Sequence, residues 1–147
     1  MATVTVDTCV IEFAKDFKKI EAASLILLIY QKDVKIGVDI EGIIEKEYRE
    51  HIRNSRALQR WWIHMENKRL IERYTVSKRG PYPPKNLSEA DKMFLDVACM
   101  TDTKIFVSED SDFYVDKTLD EPHPVVKERG INLMKIETAT NVINVID

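Results

Sequence analysis

Two short β-branched runs, each closed by acidic residues, constrain this chain more than any other feature. Thr3-Val4-Thr5-Val6 ends at Asp7, and Thr103 to Val107 ends at Ser108-Glu109-Asp110-Ser111-Asp112. Residues branched at Cβ favour extended backbone, so both runs read as strands. Val34 to Ile40 and Ile131 to Ile136 read as two more. Helical patterns lie between them. Glu12 to Tyr30 is one, with Ile20, Leu25, Leu28 and Ile29 apolar; Gly42 to Arg60 is another, and Trp61 to Tyr74 continues helical. A loop from Val76 to Lys85 carries Gly80-Pro81-Tyr82-Pro83-Pro84. Ser88 then opens a helix as its cap, with Asp91 three residues on completing the box, and Ala90, Met93, Phe94, Val97 and Ala98 form its apolar stripe. Val125 to Arg129 is a short helix stopped by Gly130. Strands alternating with helices predict an α/β fold with a parallel sheet covered on both faces. Ligands of such sheets bind beyond the carboxyl ends of the strands. Asp7 and the 109–112 turn both fall there.

Length and composition bound the function class. The 147 residues suit a single domain spanning 1–147, without repeat, linker or low-complexity tract. Cys9 and Cys99 each sit in an apolar run and read as buried thiols, not as a disulfide scaffold. No signal peptide opens the chain, and Ala22 to Tyr30 is too short to cross a bilayer, so the expectation is a cytoplasmic protein with no membrane partner. Net charge is −3, but Ile44 to Arg79 holds ten Lys/Arg against five Asp/Glu, a local +5 that leaves −8 for the remainder. That split suits a protein holding a polyanion in one place and cations in another; a solvated helix face explains it as well.

Four acidic positions carry candidate chemistry. Asp7 ends a strand, where it serves a site or caps the following helix. Glu47 falls within the apolar arc set by Ile43, Ile44, Tyr48 and Ile52 on a wheel of about 100° per residue, so it needs a partner or a metal unless it snorkels to water. Asp91 is accounted for by its capping box alone. In 109–112, three acids within four residues repel one another unless a cation neutralises them, although Asp and Ser also form turns. Asp96 reads as a solvated helix residue. These ligands are all hard oxygens, which select Mg²⁺ or Mn²⁺. Zinc is disfavoured, since His51, His64 and His123 show no paired spacing and neither cysteine has a near partner. There is no glycine-rich phosphate loop and no nucleophile elbow.

Taken in order, these segments resemble the PIN-domain nucleases. Val6-Asp7-Thr8-Cys9-Val10-Ile11 is similar to the family's strand-ending Asp-Thr-Asn-Val-Leu segment, with Cys9 in place of the usual Asn. Ile44-Glu45-Lys46-Glu47-Tyr48 resembles the helix with the second acid, at Glu47. The stretch from Ser88 to Ala98 resembles the segment with the third, at Asp91. Ile105 to Phe113 is similar to the strand and turn with the fourth, at Asp110, and Asp112 matches a frequent extra acid. The resemblance covers roughly Thr3 to Phe113, and the tail fits a last strand and helix. It implies a three-layer α/β/α fold with about five parallel strands. It further implies Mg²⁺- or Mn²⁺-dependent hydrolysis of RNA, with DNA as the alternative, by Asp7, Glu47, Asp91, Asp110 and Asp112, with an antitoxin partner or a homodimer as family expectations.

On that reading Arg49, Arg53, Arg56, Arg60, Lys78 and Arg79, with Lys68, Arg69 and Arg73 in the same stretch, are candidates to track phosphates. Trp61 and Trp62 either stack bases or fill a core or interface. No motif covers about 59–85. Two other readings stay open: a PIN-like binding module without catalysis, and a metal-dependent phosphatase or receiver-type domain. The last needs a lysine near its acids, and Lys104 precedes its strand instead of ending it.

Overall fold

The computed structural model describes residues 2–15 and 19–146. Five strands, β1 (Thr3–Val6), β2 (Lys35–Asp39), β3 (Ile71–Tyr74), β4 (Ile105–Val107) and β5 (Asn132–Met134), form one sheet in the order β3-β2-β1-β4-β5. Every pairing is parallel. Seven helices flank it: α1 (Thr8–Ala14), α2 (Ile20–Gln31), α3 (Ile43–Ile52), α4 (Arg56–Asn67), α5 (Glu89–Ala98), α6 (Pro124–Glu128) and α7 (Ile136–Asn144). This is the three-layer α/β/α arrangement expected from the sequence. None of the helices among the described residues is long and apolar enough to cross a membrane.

The core explains which strands are central. Val4, Val6, Ile36, Val38, Phe106 and Val107 are all fully buried, as parallel strands covered on both faces must be. Helix α5 lies across β2, β1 and β4. Phe94 on α5 stacks on Phe106 of β4 at 5.7 Å between ring centroids. At Gly37 of β2 a Cβ would meet the side chains of Val97, Thr101 and Tyr74 at 3.2 Å, tighter than ordinary contact, so the bare backbone lets these neighbours pack without shifting.

Three expectations need correction. The helical pattern from Trp61 does not reach Tyr74: α4 stops at Asn67, Arg69 takes a left-handed φ of 60°, and Ile71–Tyr74 is edge strand β3. Its polar side chains reach back over the sheet, Arg73 to Glu45 on α3 at 2.8 Å and Glu72 to Thr3 Oγ1 on β1 at 2.9 Å. Gly42 to Arg60 is two helices, because Ser55 opens α4 by accepting the Leu58 N–H at 3.3 Å. Glu12 to Tyr30 is likewise two, α1 and α2, and part of their connection lies outside the described residues.

Both tryptophans belong to the core. Trp61 donates its indole N–H to the Ile26 carbonyl at 3.0 Å, and Trp62 packs edge-on against Tyr48. Base stacking by either is therefore ruled out by burial. Both cysteines are half-buried free thiols.

Candidate functional site

Strand order places the site before any side chain does. From β1 the chain moves to β2 on one side, and β4 lies on the other. The carboxyl ends of β1 and β4 therefore flank the switch point, where connections diverge and leave a crevice. Asp7 follows β1 directly, and Ser108 follows β4. Helix α5 starts on the return from β3, so its first turn, with Asp91, comes from the same edge of the sheet.

Asp7 stands at the N-cap of α1, yet its side chain makes no capping hydrogen bond. Its residue is 3% exposed. Its Oδ2 accepts from Ser108 Oγ at 2.5 Å and from Cys9 Sγ at 3.5 Å. Among the described residues no cation pairs with it. Burial pushes the carboxyl up to about 7; Ser108 opposes this, while the charges of Asp91 and Asp110 push further in the same direction. Burial and the Asp7 charge also push the Cys9 thiol far up, so it is a neutral donor and no nucleophile.

The other acids are held by backbone. Asp91 Oδ2 accepts the Ser88 N–H at 3.2 Å, and the Asp91 N–H returns to Ser88 Oγ at 3.1 Å, the full capping box. Asp110 Oδ1 accepts the Asp112 N–H at 2.9 Å and thereby shapes the single turn Ser111–Phe113. Burial raises the Asp110 pKa, Asp112 and Asp91 add to it, and the Asp112 N–H works against it. Ser108 ties first and fourth acids together: its hydroxyl donates to Asp7 and accepts the Asp110 N–H at 3.0 Å. Glu109 leaves the group. It pairs with Lys19 at 3.0 Å and accepts the Ile136 N–H that opens α7, so only two of the three acids of that turn face the uncompensated cluster.

Asp7, Asp91 and Asp110 thus act on one another, and Asp112 acts on Asp110. Glu47 is placed differently. It sits at the margin of α3, facing His51 Nε2 at 3.5 Å, while Tyr48 beside it donates its hydroxyl to the Val6 carbonyl at the end of β1. These side chains offer only hard oxygens, and the buried carboxylate among them meets no counter-charge among the described residues. Among the described residues, no group of three or more His, Cys, Asp and Glu side chains is arranged to hold a metal ion.

The basic candidates divide into engaged and available. Arg49 pairs with Glu45 at 2.8 Å and Glu66 at 3.7 Å, and Arg79 pairs with Asp96 at 2.9 Å and Glu89 at 3.2 Å. Arg53, Arg56, Arg60 and Lys78 are exposed and make no ion pair among the described residues.

Asp96 corrects the sequence reading most sharply. Far from solvated, it is fully buried and accepts from Gly80 N–H at 3.0 Å, Tyr82 hydroxyl at 2.7 Å, Arg79 Nε at 2.9 Å and Arg129 at 2.9 Å. It clasps the proline-rich loop to α5 and α6. The signal was present: Phe94, Leu95, Val97 and Ala98 make this helix apolar all round, so an acid among them must be compensated. Lys104 settles at the opposite edge of the sheet from Asp7, its Nζ on the Cys99 carbonyl beyond the end of α5.

Compared with models of protein families, with curated proteins and with solved structures, the chain matches none.

Proposed function

We propose that this protein is a PIN-like, divalent-metal-dependent nuclease that hydrolyses phosphodiester bonds in RNA, with Asp7, Glu47, Asp91, Asp110 and Asp112 as its acidic set. One observation carries the reading: Asp7 is buried at the switch point, meets no cation among the described residues and is raised to about 7, in part by the charges of Asp91 and Asp110. An acid held this way costs stability, and such groups cluster at functional sites.

Mg²⁺ or Mn²⁺ bound among these carboxylates supplies Lewis acidity toward the phosphate and its leaving oxygen. The protein's part is orientation. The Ser108 hydroxyl fixes one oxygen of Asp7, the Asp112 N–H one of Asp110 and the Ser88 N–H one of Asp91, so each carboxylate would hold a cation through its other oxygen. Near neutral pH Asp7 holds a proton part of the time, which it would give up on ligating a cation. The exposed Arg53, Arg56, Arg60 and Lys78 can meet phosphates without first breaking an ion pair with any described residue.

A test is cleavage of labelled RNA with Mn²⁺ and with EDTA, using wild type, Asp7→Asn and Asp110→Asn. Cleavage by wild type alone, and only with metal, supports the reading; equal cleavage in EDTA or undiminished cleavage by both variants ends it. A second reading, a PIN-like module that binds RNA without cutting it, draws on the open spacing of the carboxylates. RNA binding with no cleavage at any metal concentration would favour it. A receiver-type phosphatase fits poorly with Lys104 at the far edge of the sheet.

A further inference from the structure

Helix α2 is apolar on more sides than its neighbours cover. Its twelve residues hold one charge, Glu21. Leu25 and Ile29 are fully buried and Ile26 nearly so, yet Leu27 is 52% exposed. A helix apolar all round is normally covered all round. Beside Leu27 the surface sinks into a cavity of about 450 Å³ between α1, α2 and α4. Its apolar walls are Ile26 and Leu27 on α2 and Leu58 and Trp61 on α4. The Trp61 indole N–H is already given to the Ile26 carbonyl, so the ring offers the cavity an apolar surface and no donor. Ala23 and Ala57, one on each wall, leave space that larger side chains would fill. The cavity is separate from the acids: α1 starts after Asp7, and it is the last residue of that helix, Ala14, that reaches the cavity.

Asn54 and Arg56 also line it, both exposed and neither engaged in a side-chain hydrogen bond or ion pair among the described residues. Of Arg53, Arg56, Arg60 and Lys78, only Arg56 lines the cavity, and among the described residues no acid does. We propose that this cavity is a binding site for a small amphipathic carboxylate, its apolar body against Leu27, Leu58 and Trp61 and its acid group at Arg56 and Asn54. The size is that of a small-molecule site, and such sites combine apolar walls with a few polar groups that orient the ligand. A guanidinium meets a carboxylate through two parallel N–H bonds. A protein occupant fits less well. The exposed positions of α2 on either side of Leu27 are Ser24 and Gln31, and Gln59 and Arg60 follow Ala57 on α4, so the apolar surface is confined to the cavity. An isologous dimer through this face would set its own arginines against each other.

The test uses octanoate, octanol and acetate as probes, titrated calorimetrically into the full chain. Octanoate should bind saturably, one molecule per chain; octanol should bind roughly tenfold more weakly, for want of the charged hydrogen bonds, and acetate not at all. Arg56→Gln should bring octanoate down to the affinity of octanol and leave octanol unchanged. Ala23→Leu and Ala57→Leu narrow the cavity from its two walls and should each weaken both ligands roughly tenfold or more, with little change in unfolding midpoint. Ala57 is exposed, so that variant reports even where the half-buried Ala23 position costs stability. Wild type that does not saturate with octanoate overturns the proposal, as does full octanoate affinity in both Leu variants. Octanol bound as tightly as octanoate, with no effect of Arg56→Gln, overturns it too. A dimer in sedimentation, or saturable binding of an acidic amphipathic peptide where octanoate fails, would give the face to a protein instead.

Discussion

Asp7 and Asp96 are equally deep in the molecule and opposite in how their charge is met. Asp96 receives two arginines, a tyrosine hydroxyl and a backbone N–H. Asp7 receives a serine hydroxyl and a thiol, and faces two further acids. Burial is common to both, so burial does not mark a site. What separates them is compensation: one carboxylate is consumed in fastening a loop, and the other meets no cation among the described residues.

The comparison breaks most visibly in activity. Asp7→Asn should reduce metal-dependent RNA cleavage to background with the fold intact by circular dichroism, whereas a milder change at Asp96, to Asn, should leave cleavage measurable in the folded fraction. In stability the order reverses. Asp96→Ala strands the Arg129 guanidinium, whose side chain is only 6% exposed, and should cost about 3–5 kcal/mol in chemical denaturation. A loss below 1 kcal/mol would show that the clasp is not held by charge.

Next in size is the dependence on pH. The folded carboxyl of Asp7 is raised from 3.8 to about 7. The folded state therefore binds more protons than the unfolded one between those values, so stability falls as pH rises from about 4 through 7 and stays lowered above. The full effect is on the order of 4 kcal/mol. The raised pKa of Asp110 acts in the same sense. Asp7→Asn should flatten this fall and be more stable than wild type at pH 8 by on the order of 2 kcal/mol, since its amide still has to be seated. A wild type that gains stability from pH 5 to pH 8 would contradict the assignment.

Smaller effects test the outlying residues. Trp61→Phe removes the bond to Ile26 and should cost about 1 kcal/mol without altering cleavage. Arg49→Ala breaks exposed pairs with Glu45 and Glu66 and should shift stability by less than about 1 kcal/mol.

The two regions were not equally legible in the sequence. β1, β4 and the Ser88–Asp91 box announce themselves locally, through Cβ branching and a cap spaced by three, and these carry most of the site. β3 did not, because an edge strand of four residues with Glu72 and Arg73 in it has no apolar run, and the left-handed turn before it is made by Arg69 in place of the usual Gly. The compensation of Asp96 depends on Arg79 and Arg129, which only the tertiary fold brings together. The same holds for Glu109, whose charge is taken up by Lys19 and the start of α7. Local patterns reveal where an acid sits in an element; they do not reveal which distant residue answers it.

The central claim is that the switch-point acids, which meet no counter-charge among the described residues, take one from a divalent cation. Calorimetric titration of Mn²⁺ into metal-free wild type and Asp7→Asn at pH 6.5, in two buffers of different ionisation enthalpy, tests this directly. The account predicts saturable binding with proton release in wild type, and loss of both in the variant. Absence of binding to wild type, or binding of equal strength in Asp7→Asn, would contradict it.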